Sequence, residues 1–354
     1  MTYLRNAWYV AAWDNEVEAD ALFHRRILGE QIMLMRDQAG MVHALRDRCP
    51  HRFAPLHLGK RHGDVIECAY HGLRFGLDGG CVLNPHGAGD VPHGATVQTY
   101  PLTLEHTLLW IWMGEPAVAD RTLIPDLDGL DPARFAIHKG YMHTPANYEF
   151  VTDNIMDLGH IEFLHEGLLG SEAVRRAETA VSQNGTTVYS KRLTRNELLP
   201  PPLDYTFGTN GAPVDRWLDV RWTPPGNMQL VIGVTPAGSP ERIGIETPGV
   251  HLMTPETETS THYFWSNSRN FRRDDHELHA QLDQGLRYAF EHQDKPMIMA
   301  QQAAMDGEDF WELRPVILEG DAGAIRARRI LRKLIREEAA ANQPARTLES
   351  ADRG

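Results

Sequence analysis

The amino-acid sequence predicts an α+β protein made of two dissimilar parts, an all-β part followed by an antiparallel sheet with helices on one face. Residues 1 to about 115 contain short apolar runs rich in aromatic and β-branched residues, separated by Gly, Asp or Asn. No stretch in this part keeps a helical period for long. After residue 135, helical and strand-like patterns alternate in one block, which favours helices packed on an antiparallel sheet.

Four apolar runs in the first part are predicted strands. They are NAWYVAAW (6–13), RRILGEQIMLMRD (25–37), MVHALRD (41–47) and TLLWIWMG (107–114). The stretch that follows is rich in Pro and Asp, which is typical of a linker. We therefore predict a first domain at residues 1–118 and a linker at 119–135.

The second domain is predicted at residues 136–338, followed by a polar, flexible tail at 339–354. Three helical stretches are predicted in this domain, at 150–170, at 274–305 (the long helix) and, with a basic sequence, at about 322–338. Strands are predicted at 179–193, 227–236, 249–256 and 260–271, and the first of these contains a hairpin turn at Asn184-Gly185. The long helix is expected to bend near Pro296, because proline cannot donate the backbone hydrogen bond of a helix interior.

Composition limits the classes of function. The chain has 354 residues, a formal net charge of −13 at pH 7 and three cysteines. The negative charge argues against nucleic acid as a partner. Three cysteines cannot all pair within one chain, and the N-terminal sequence lacks a basic start followed by a long apolar core, so we expect a reducing, cytoplasmic location. No apolar run approaches the ~20 residues that span a membrane, so no membrane association is expected.

Two of the cysteines are each followed closely by a histidine, Cys49 by His51 and Cys68 by His71. Structural zinc sites usually group like ligands, with cysteines on one segment and histidines on another. Mixed pairs on two loops instead suit a dinuclear iron–sulfur cluster in which one iron binds both cysteines and the other binds both histidines. Neutral imidazoles raise the potential of such a cluster to roughly −150 to +300 mV, so that it accepts electrons from a low-potential ferredoxin or flavin.

The residues around these pairs, CPHRFAPL and CAYHGLRF, resemble the Rieske signature of aromatic ring-hydroxylating oxygenases. The resemblance implies a Rieske 2Fe-2S cluster bound by the four residues. Tyr70 is expected either to donate a hydrogen bond to the cluster or to pack the loop. Cys81, in DGGCVLNP, is expected to be a small buried apolar residue and not a ligand.

A second metal site is indicated by DNIMDLGHIEFLHEG, which contains His160 and His165. The spacing alone is weak evidence, because the chain has 18 histidines and other pairs share it. Five residues of an ideal α-helix turn through about 500°, which leaves the two side chains about 140° apart. Both imidazoles can therefore bind one metal only if the helix is broken or unwound into a π-type turn.

The pattern DNxMDLGHxxFLH resembles the mononuclear-iron motif of Rieske oxygenases, particularly those that demethylate aromatic methyl ethers such as vanillate and dicamba. The resemblance extends along nearly the whole chain and implies a helix-grip (START-like) catalytic domain. Ferrous oxygenases use two imidazoles and one carboxylate on a single face of the metal. The family pattern places this carboxylate at Asp294 in FEHQDKPMIMA, with Glu291 as the alternative one turn away.

Two further residues of the motif, Asp157 and Asn154, are candidates for catalytic roles. In similar trimers, the carboxylate corresponding to Asp157 lies between a cluster histidine of one subunit and an iron-binding histidine of its neighbour. The resemblance therefore implies a homotrimer in which Asp157 joins His71 of one chain to His160 of the next. Asn154 is expected either to border the iron site or to be structural.

The resemblance implies a terminal oxygenase that receives electrons from NAD(P)H through a separate ferredoxin or flavin reductase. It would O-demethylate a methoxylated aromatic compound and release formaldehyde. A separate reductase agrees with the absence of a G-x-G-x-x-G fingerprint in a strand-to-helix setting. Two alternatives stay open: hydroxylation of another aromatic or alicyclic compound, and a non-enzymatic electron carrier, against which the set His160, His165 and Asp294 argues.

Substrate contacts are expected from the strands at 227–236 and 249–256 and from the long helix. His251 alternates with apolar neighbours and is either a substrate contact or a satisfied core residue. Leu230 and Gly285 suggest a pocket that differs from that of related demethylases or is roomier. The expected substrate is an aromatic acid that bears a methoxy group.

Overall fold

The first part of the chain forms three small antiparallel sheets in the computed structural model, which describes residues 2–242 and 245–342. The strands are β1 (Trp8–Trp13), β2 (Phe23–Ile27), β3 (Glu30–Arg36), β4 (Val42–Arg46), β5 (Lys60–His62), β6 (Val65–Glu67), β7 (Arg74–Gly76), β8 (Cys81–Leu83), β9 (Thr99–Tyr100), β10 (Leu102–Glu105) and β11 (Leu108–Trp112). The sheet orders are β1-β11-β10, β2-β3-β4-β9 and β5-β6-β7-β8. The all-β prediction for this part is confirmed.

The sheet β5–β8 carries the two Cys-His loops. One loop connects β4 to β5 and the other connects β6 to β7. Cys49 and Cys68 are buried in a small core with Leu45 and Ile66, whereas His51 is exposed. The loops are therefore anchored in the core at their cysteines and reach solvent at His51.

The second part is built on one seven-stranded antiparallel sheet with the order β12-β18-β17-β16-β15-β14-β13. Its strands are β12 (Ala136–Thr144), β13 (Glu178–Asn184), β14 (Thr187–Glu197), β15 (Val214–Thr223), β16 (Asn227–Pro236), β17 (Ile245–Thr257) and β18 (Ser260–Arg269). The helices are α1 (Tyr148–Met156), α2 (Pro201–Phe207), α3 (His276–Tyr288), α4 (Lys295–Ala304) and α5 (Ala322–Ala341). A π-helical segment, Ala289–Asp294, joins α3 to α4.

Helices cover one face of this sheet, and the candidate site lies between the two layers. Leu218 and Leu230 of the sheet share a core cluster with Ile155 of α1 and Phe290 of the π segment. Strands β13, β14, β16, β17 and β18 were predicted, including the turn at Asn184-Gly185 between β13 and β14, where Gly185 has a positive φ of 57°. The α+β class is confirmed.

Several details differ from the sequence-based expectations. The predicted helix at 150–170 ends at Met156, and the next regular element is a 3-10 helix at Leu158–Glu162. The predicted helix at 274–305 is interrupted by the π segment, which ends two residues before Pro296. Strands β12 and β15 and helix α2 were not predicted.

The two parts pack against each other through aromatic and branched side chains. Trp8 and Trp110 share a core cluster with Val250 and Phe264 of the large sheet. Trp13 Nε1 also donates a hydrogen bond of 3.0 Å to the carbonyl of Gly140. The predicted linker forms short 3-10 turns at Arg121–Leu123 and Asp128–Leu130, and its residues Leu127 and Leu130 join this cluster. The domain boundaries themselves stay a prediction.

Of the predicted flexible tail, residues 339–341 continue α5, and residues 343–354 lie outside the described residues. Within the part of the chain that is described, no helix is both long and apolar enough to cross a membrane.

Candidate metal centres and substrate cavity

One metal-binding geometry is formed by His160, His165 and Asp294. Their ligand atoms all lie within 4.8 Å of one another. The Oδ1 atom of Asp294 lies 3.5 Å from His160 Nε2 and 3.2 Å from His165 Nε2. Among residues 2–242 and 245–342, no other group of three such side chains meets this criterion. Asp294, about 130 positions after the two histidines in the sequence, therefore lies beside both of them.

The local backbone explains how both histidines reach this point. Helix α1 ends at Met156. The next residue, Asp157, has an extended backbone (φ −104°, ψ 97°) and caps the 3-10 helix, where its carboxylate accepts a 2.9 Å hydrogen bond from the Gly159 N–H. This change of helix type brings the two imidazole ring centres to 5.2 Å. The expectation that the helix must break near the histidines is confirmed.

The π segment has the corresponding role for the carboxylate. Wider π turns occur mostly as short insertions at functional sites. Asp294, the last residue of the segment, is only 4% exposed and faces the histidines. The alternative ligand, Glu291, is exposed. The geometry therefore favours Asp294 over Glu291.

Hydrogen bonds fix the orientation of all three candidate ligands. His160 Nδ1 donates to the main-chain carbonyl of Asp157 at 2.6 Å, and His165 Nδ1 donates to Gln293 Oε1 at 2.8 Å. Because both partners are acceptors, each imidazole carries its proton on Nδ1 and leaves Nε2 available to a metal. The Asn154 amide donates to Asp294 Oδ1 at 2.9 Å. Two neutral imidazoles and one carboxylate fit a ferrous ion with open positions.

The electrostatics of the two histidines differ. Burial is the largest influence on His160 and lowers the pKa of its imidazole, although Asp294 opposes this. Burial also acts to lower the pKa of His165, but hydrogen bonds to Asp294 and Gln293 outweigh it and raise that pKa. His165 is thus the more strongly coupled of the two to the carboxylate.

Asp157 is placed differently from the expectation. Its contact with His160 is made by the main-chain carbonyl, and not by the carboxylate as predicted. The carboxylate caps the 3-10 helix and lies 3.4 Å from the Arg192 guanidinium. The Asp157 side chain is 33% exposed and lines an open depression beside His160. A contact between Asp157 and a second chain stays a prediction.

The two cluster loops have equivalent backbone geometry. In the first, the Phe53 N–H bonds the Cys49 carbonyl and the Cys49 N–H bonds the Ala54 carbonyl, both at 2.9 Å. In the second, Gly72 and Leu73 make the same two bonds with Cys68, at 2.9 and 2.8 Å. Such paired loops present one cysteine and one histidine each.

The side chains of these loops converge. The ring centres of His51 and His71 lie 4.6 Å apart. Burial raises the pKa of the Cys49 thiol to about 11, while main-chain N–H groups of His51 and Arg52 directed at the sulfur oppose the rise. Binding of a cationic metal would favour the thiolate despite this burial. Two adjacent thiols and two adjacent imidazoles fit the dinuclear cluster.

Tyr70 and Cys81 lie at the edge of this region. The Tyr70 ring is 62% exposed and its centre lies 4.0 Å from that of His71, so it packs on a candidate ligand. Cys81 packs against the small core of the loops, and its thiol faces the Leu83 carbonyl at 3.5 Å. The expectation of a packing role for Cys81 agrees with this position.

A cavity of about 110 Å³ lies against the candidate metal site. Both residues predicted to contact substrate line it, His251 on β17 and Leu230 on β16, together with the three metal-site residues. Gly285 is not in its lining, although Leu282 and Leu286 on the same helix are. His251 Nδ1 lies 2.6 Å from the Tyr263 hydroxyl, and complete burial lowers the pKa of His251 to about 4.

Several polar residues of the site were not predicted. They include Gln293, Thr206, Arg216, Thr247, Ser266 and Asn267. Gln293 precedes Asp294 directly, so the family pattern could have pointed to it as a partner of a ligand. Ser266 and Asn267 belong to a strand-like run in which no spacing distinguishes cavity-lining residues from others.

Comparisons with known proteins agree with both sites. Residues 7–101 match a Rieske 2Fe-2S domain, and residues 144–337 match the vanillate O-demethylase oxygenase C-terminal domain. The oxygenase component of chloroacetanilide N-alkylformylase from Rhizorhabdus wittichii is 42% identical over 95% of this chain and 97% of its own length. The oxygenase component of dicamba O-demethylase from Stenotrophomonas maltophilia is 39% identical over 96% of this chain and 100% of its own length.

Solved structures give the same result. The crystal structure of dicamba monooxygenase bound to 3,6-dichlorosalicylic acid is 37% identical, has a TM-score of 0.90, and covers 96% of this chain and 100% of its own. A crystal structure of the same enzyme with non-heme iron and dicamba has a TM-score of 0.81 at the same coverage. Fold and sites together define the class of Rieske non-heme iron oxygenases. Within it, the chain belongs to the family of the vanillate and dicamba O-demethylase oxygenases.

Proposed function

We propose that this chain is the terminal oxygenase of a system that O-demethylates a methoxylated aromatic compound and releases formaldehyde. The observation that carries the proposal is that His160, His165 and Asp294 form a ferrous-type ligand set in the wall of a largely apolar cavity. A ring bound in this cavity lies next to the ligand atoms. Relatives named for the O-demethylation of dicamba and vanillate support this choice of reaction.

The geometry supports the ligand assignments. Nε2 of His160, Nε2 of His165 and the carboxylate of Asp294 would bind the mononuclear iron, and Cys49, His51, Cys68 and His71 would bind the Rieske cluster. When bound, the iron supplies the activation of dioxygen. Asn154 and Gln293 hold Asp294 and His165 in position by the bonds described above. Apolar side chains around the cavity, including Phe290 and Leu230, exclude water from the bound ring.

The reaction changes the methyl carbon of the substrate. One oxygen atom of dioxygen becomes a hydroxyl on that carbon. The other oxygen atom takes up two electrons and two protons and leaves as water. The resulting hemiacetal transfers its hydroxyl proton to the ring oxygen as the bond between that oxygen and the methyl carbon breaks. The products are a phenol and formaldehyde.

Removal of an alkyl group from nitrogen is the second candidate. It is favoured by the relative at 42% identity, which is named for N-dealkylation chemistry on a chloroacetanilide. Hydroxylation of a carbon bound to nitrogen gives a product that collapses in the same way. Hydroxylation of another aromatic or alicyclic compound, the third candidate, would give no aldehyde.

The proposal includes an electron route through a homotrimer. Electrons from NAD(P)H pass through a separate ferredoxin or flavin reductase to the cluster of one subunit, and then through Asp157 to the iron of the next. Exposed apolar residues lie at both ends of this route, which supports such a contact. Phe53 and Tyr70 at the cluster are 67% and 62% exposed, and Val316 beside the depression is 86% exposed. The assembly is placed in the cytoplasm, where thiols stay reduced.

Turnover with a surrogate reductase, NADH and a panel of methoxylated aromatic compounds tests the reaction. We expect formaldehyde and the corresponding phenol in equal amounts. The His165→Ala variant should form neither, because the ligand set loses one imidazole. A ring-hydroxylated product that keeps its methoxy group, with no formaldehyde, would contradict the proposal.

A further inference from the structure

Among the described residues that line the cavity, no lysine or arginine lacks an acidic partner. Of the described residues in its lining, Arg216 on β15 is the only lysine or arginine. An anionic substrate group is normally held by such a cation or by several converging hydrogen-bond donors, because burial of an unpaired carboxylate is unfavourable. The surroundings of Arg216 therefore bear on the charge of the substrate.

Arg216 is already neutralised by Glu197. The Arg216 Nε donates a hydrogen bond of 3.1 Å to Glu197 Oε2. Its Nη2 lies 2.8 Å from Glu197 Oε1, which makes an ion pair but not a hydrogen bond of good angle. Its Nη1 donates to the Leu169 carbonyl at 2.9 Å. The two side chains are 1% and 0% exposed. A substrate carboxylate would have to compete with Glu197 for this guanidinium.

His251 presents an uncharged donor to the cavity. The Tyr263 hydroxyl has His251 Nδ1, at 2.6 Å, as its one hydrogen-bond partner among the described residues. A buried O–H needs an acceptor, so Tyr263 donates and the imidazole carries its proton on Nε2. Because burial lowers the pKa of His251 to about 4, the ring is uncharged at neutral pH. Nε2–H has no partner in the described part of the chain.

Ser266 borders the cavity, but its side chain is directed to the opposite face of the sheet. It is paired with Val250 of β17, and paired residues of an antiparallel sheet point to the same face. Val250 is buried in the cluster of Trp8 and Phe264, whereas the next residue, His251, lines the cavity. His251 is therefore the uncharged donor that this part of the sheet presents to the cavity.

The rest of the sheet wall is mostly apolar, with Thr247 and Asn267 as further polar residues. Leu230 lies opposite Gly249 on the neighbouring strand, and Leu218 and Ile232 also line the surface. The helical wall adds Leu286 and Phe290. A group that enters this space loses its water and gains few polar contacts.

We propose that the substrate is an uncharged aromatic compound with a carbonyl substituent, such as an amide or an ester, whose oxygen accepts a hydrogen bond from His251. This replaces the expectation of an aromatic acid. The inference rests on the proposed function, since it concerns the same cavity. It agrees with the similarity to an enzyme named for a chloroacetanilide, which is an uncharged amide. An uncharged substrate distinguishes this chain from the relative whose solved structure contains 3,6-dichlorosalicylic acid.

Matched pairs of ligands test the proposal. The 2-, 3- and 4-methoxybenzamides have nearly the shape of the corresponding methoxybenzoates and differ from them in charge. Equilibrium dialysis with the oxidised holoenzyme gives the dissociation constant of each without turnover. We expect the amide of the best pair to bind at least about tenfold more tightly than its acid at pH 7.5, because only the acid must be desolvated as an ion.

Variants assign the effect to residues. His251→Phe should reduce the preference for the amide, and Leu230→Lys should shift it toward the acid by adding a cation. Ser268→Ala is the control, because its hydroxyl bonds the Gly129 carbonyl outside the cavity lining. It should keep the wild-type ratio. The ratio compares two ligands on the same protein, so partial misfolding of a variant does not change it.

The outcomes separate the two proposals. Acids that bind as tightly as their amides, or more tightly, overturn this inference even if formaldehyde forms from them. Amides that bind selectively without releasing formaldehyde leave the inference standing and contradict the proposed O-demethylation. A ratio that is unchanged in His251→Phe overturns the assigned contact. Failure of every pair to bind overturns the substrate class as stated.

Discussion

The Gln293 side chain accepts a hydrogen bond of 2.8 Å from His165 Nδ1, while its neighbour Asp294 lies 3.2 Å from Nε2 of the same imidazole. Two adjacent residues of the π segment therefore contact the two nitrogens of one histidine. Gln293 fixes the tautomer and the ring orientation, and Asp294 shares the metal position. Partners of this kind commonly determine how tightly a metal is held.

Replacement of Gln293 by leucine should weaken the binding of iron at the mononuclear site by roughly 10- to 100-fold, because His165 loses the acceptor that orients it. Titration of the iron-depleted protein with Fe(II) measures this directly. Gln293→Glu keeps an acceptor and should bind iron at least as well as the wild type. Gln281→Leu, an exposed glutamine in α3, is the control. Equal affinities in Gln293→Leu and the control would show that the bond has no such role.

Asp294→Ala should lose the mononuclear iron and all turnover, while the absorption bands of the Rieske cluster persist. The wild type should contain about three iron atoms per chain, two of them in the cluster, and this variant about two. Glu291→Ala should keep the wild-type iron content, since Glu291 is exposed and outside the ligand group. Loss of iron in Glu291→Ala with retention in Asp294→Ala would reverse the assignment.

His71→Cys tests the cluster. A thiolate in place of a neutral imidazole adds negative charge, so the midpoint potential should fall by on the order of 100 mV or more. Protein-film voltammetry measures the shift, and visible absorption shows whether a cluster has formed. Cys81→Ser is the control, because Cys81 packs at the edge of the loops and should leave the potential unchanged. An intact cluster with an unchanged potential in His71→Cys would exclude His71 as a ligand.

Mixing two inactive variants tests the electron route. Cys68→Ala lacks a functional cluster and His160→Ala lacks a functional iron site. In mixed trimers, an intact cluster of one chain can face an intact iron site of the next, so activity should partly return. Recovery should vanish when Asp157→Asn is added to the Cys68→Ala chain, which carries the intact iron site.

The control for mixing is a pair of variants that share the same lesion, which should recover no activity. A fully active monomer, observed by sedimentation under assay conditions, would contradict transfer between subunits. So would recovery that is independent of Asp157.

The sequence could predict much of the site because the ligands lie in short motifs. Residues five positions apart on an ideal α-helix point in different directions, so His160 and His165 can bind one metal only if the helix breaks. That break is present. It could not show where the π turn lies. That turn is in the segment with Asp294, where the family pattern fixes the residue but no local preference marks the change in helix type.

Strand β15 shows why part of the fold was not predicted. Its sequence, VDRWLDVRWT, carries four charges, which is unusual for a central strand. Two of the charged side chains are buried by ion pairs with distant partners, Asp215 with Arg195 and Arg216 with Glu197. A pattern based on alternating polarity cannot anticipate such pairs. The same pairing neutralises Arg216, the one arginine or lysine among the described residues that line the cavity.

The central claim, that one chain carries an electron-storing cluster and a separate oxygenating iron site, is tested most directly by a single turnover. The protein is chemically reduced, freed of reductant, and mixed with dioxygen and a methoxylated aromatic amide, with no reductase present. We predict that formaldehyde forms as the visible absorption of the oxidised Rieske cluster returns. In Asp294→Ala the cluster should stay reduced for longer and form no formaldehyde. Formaldehyde from Asp294→Ala at the wild-type yield, or wild-type formaldehyde without oxidation of the cluster, would contradict the claim.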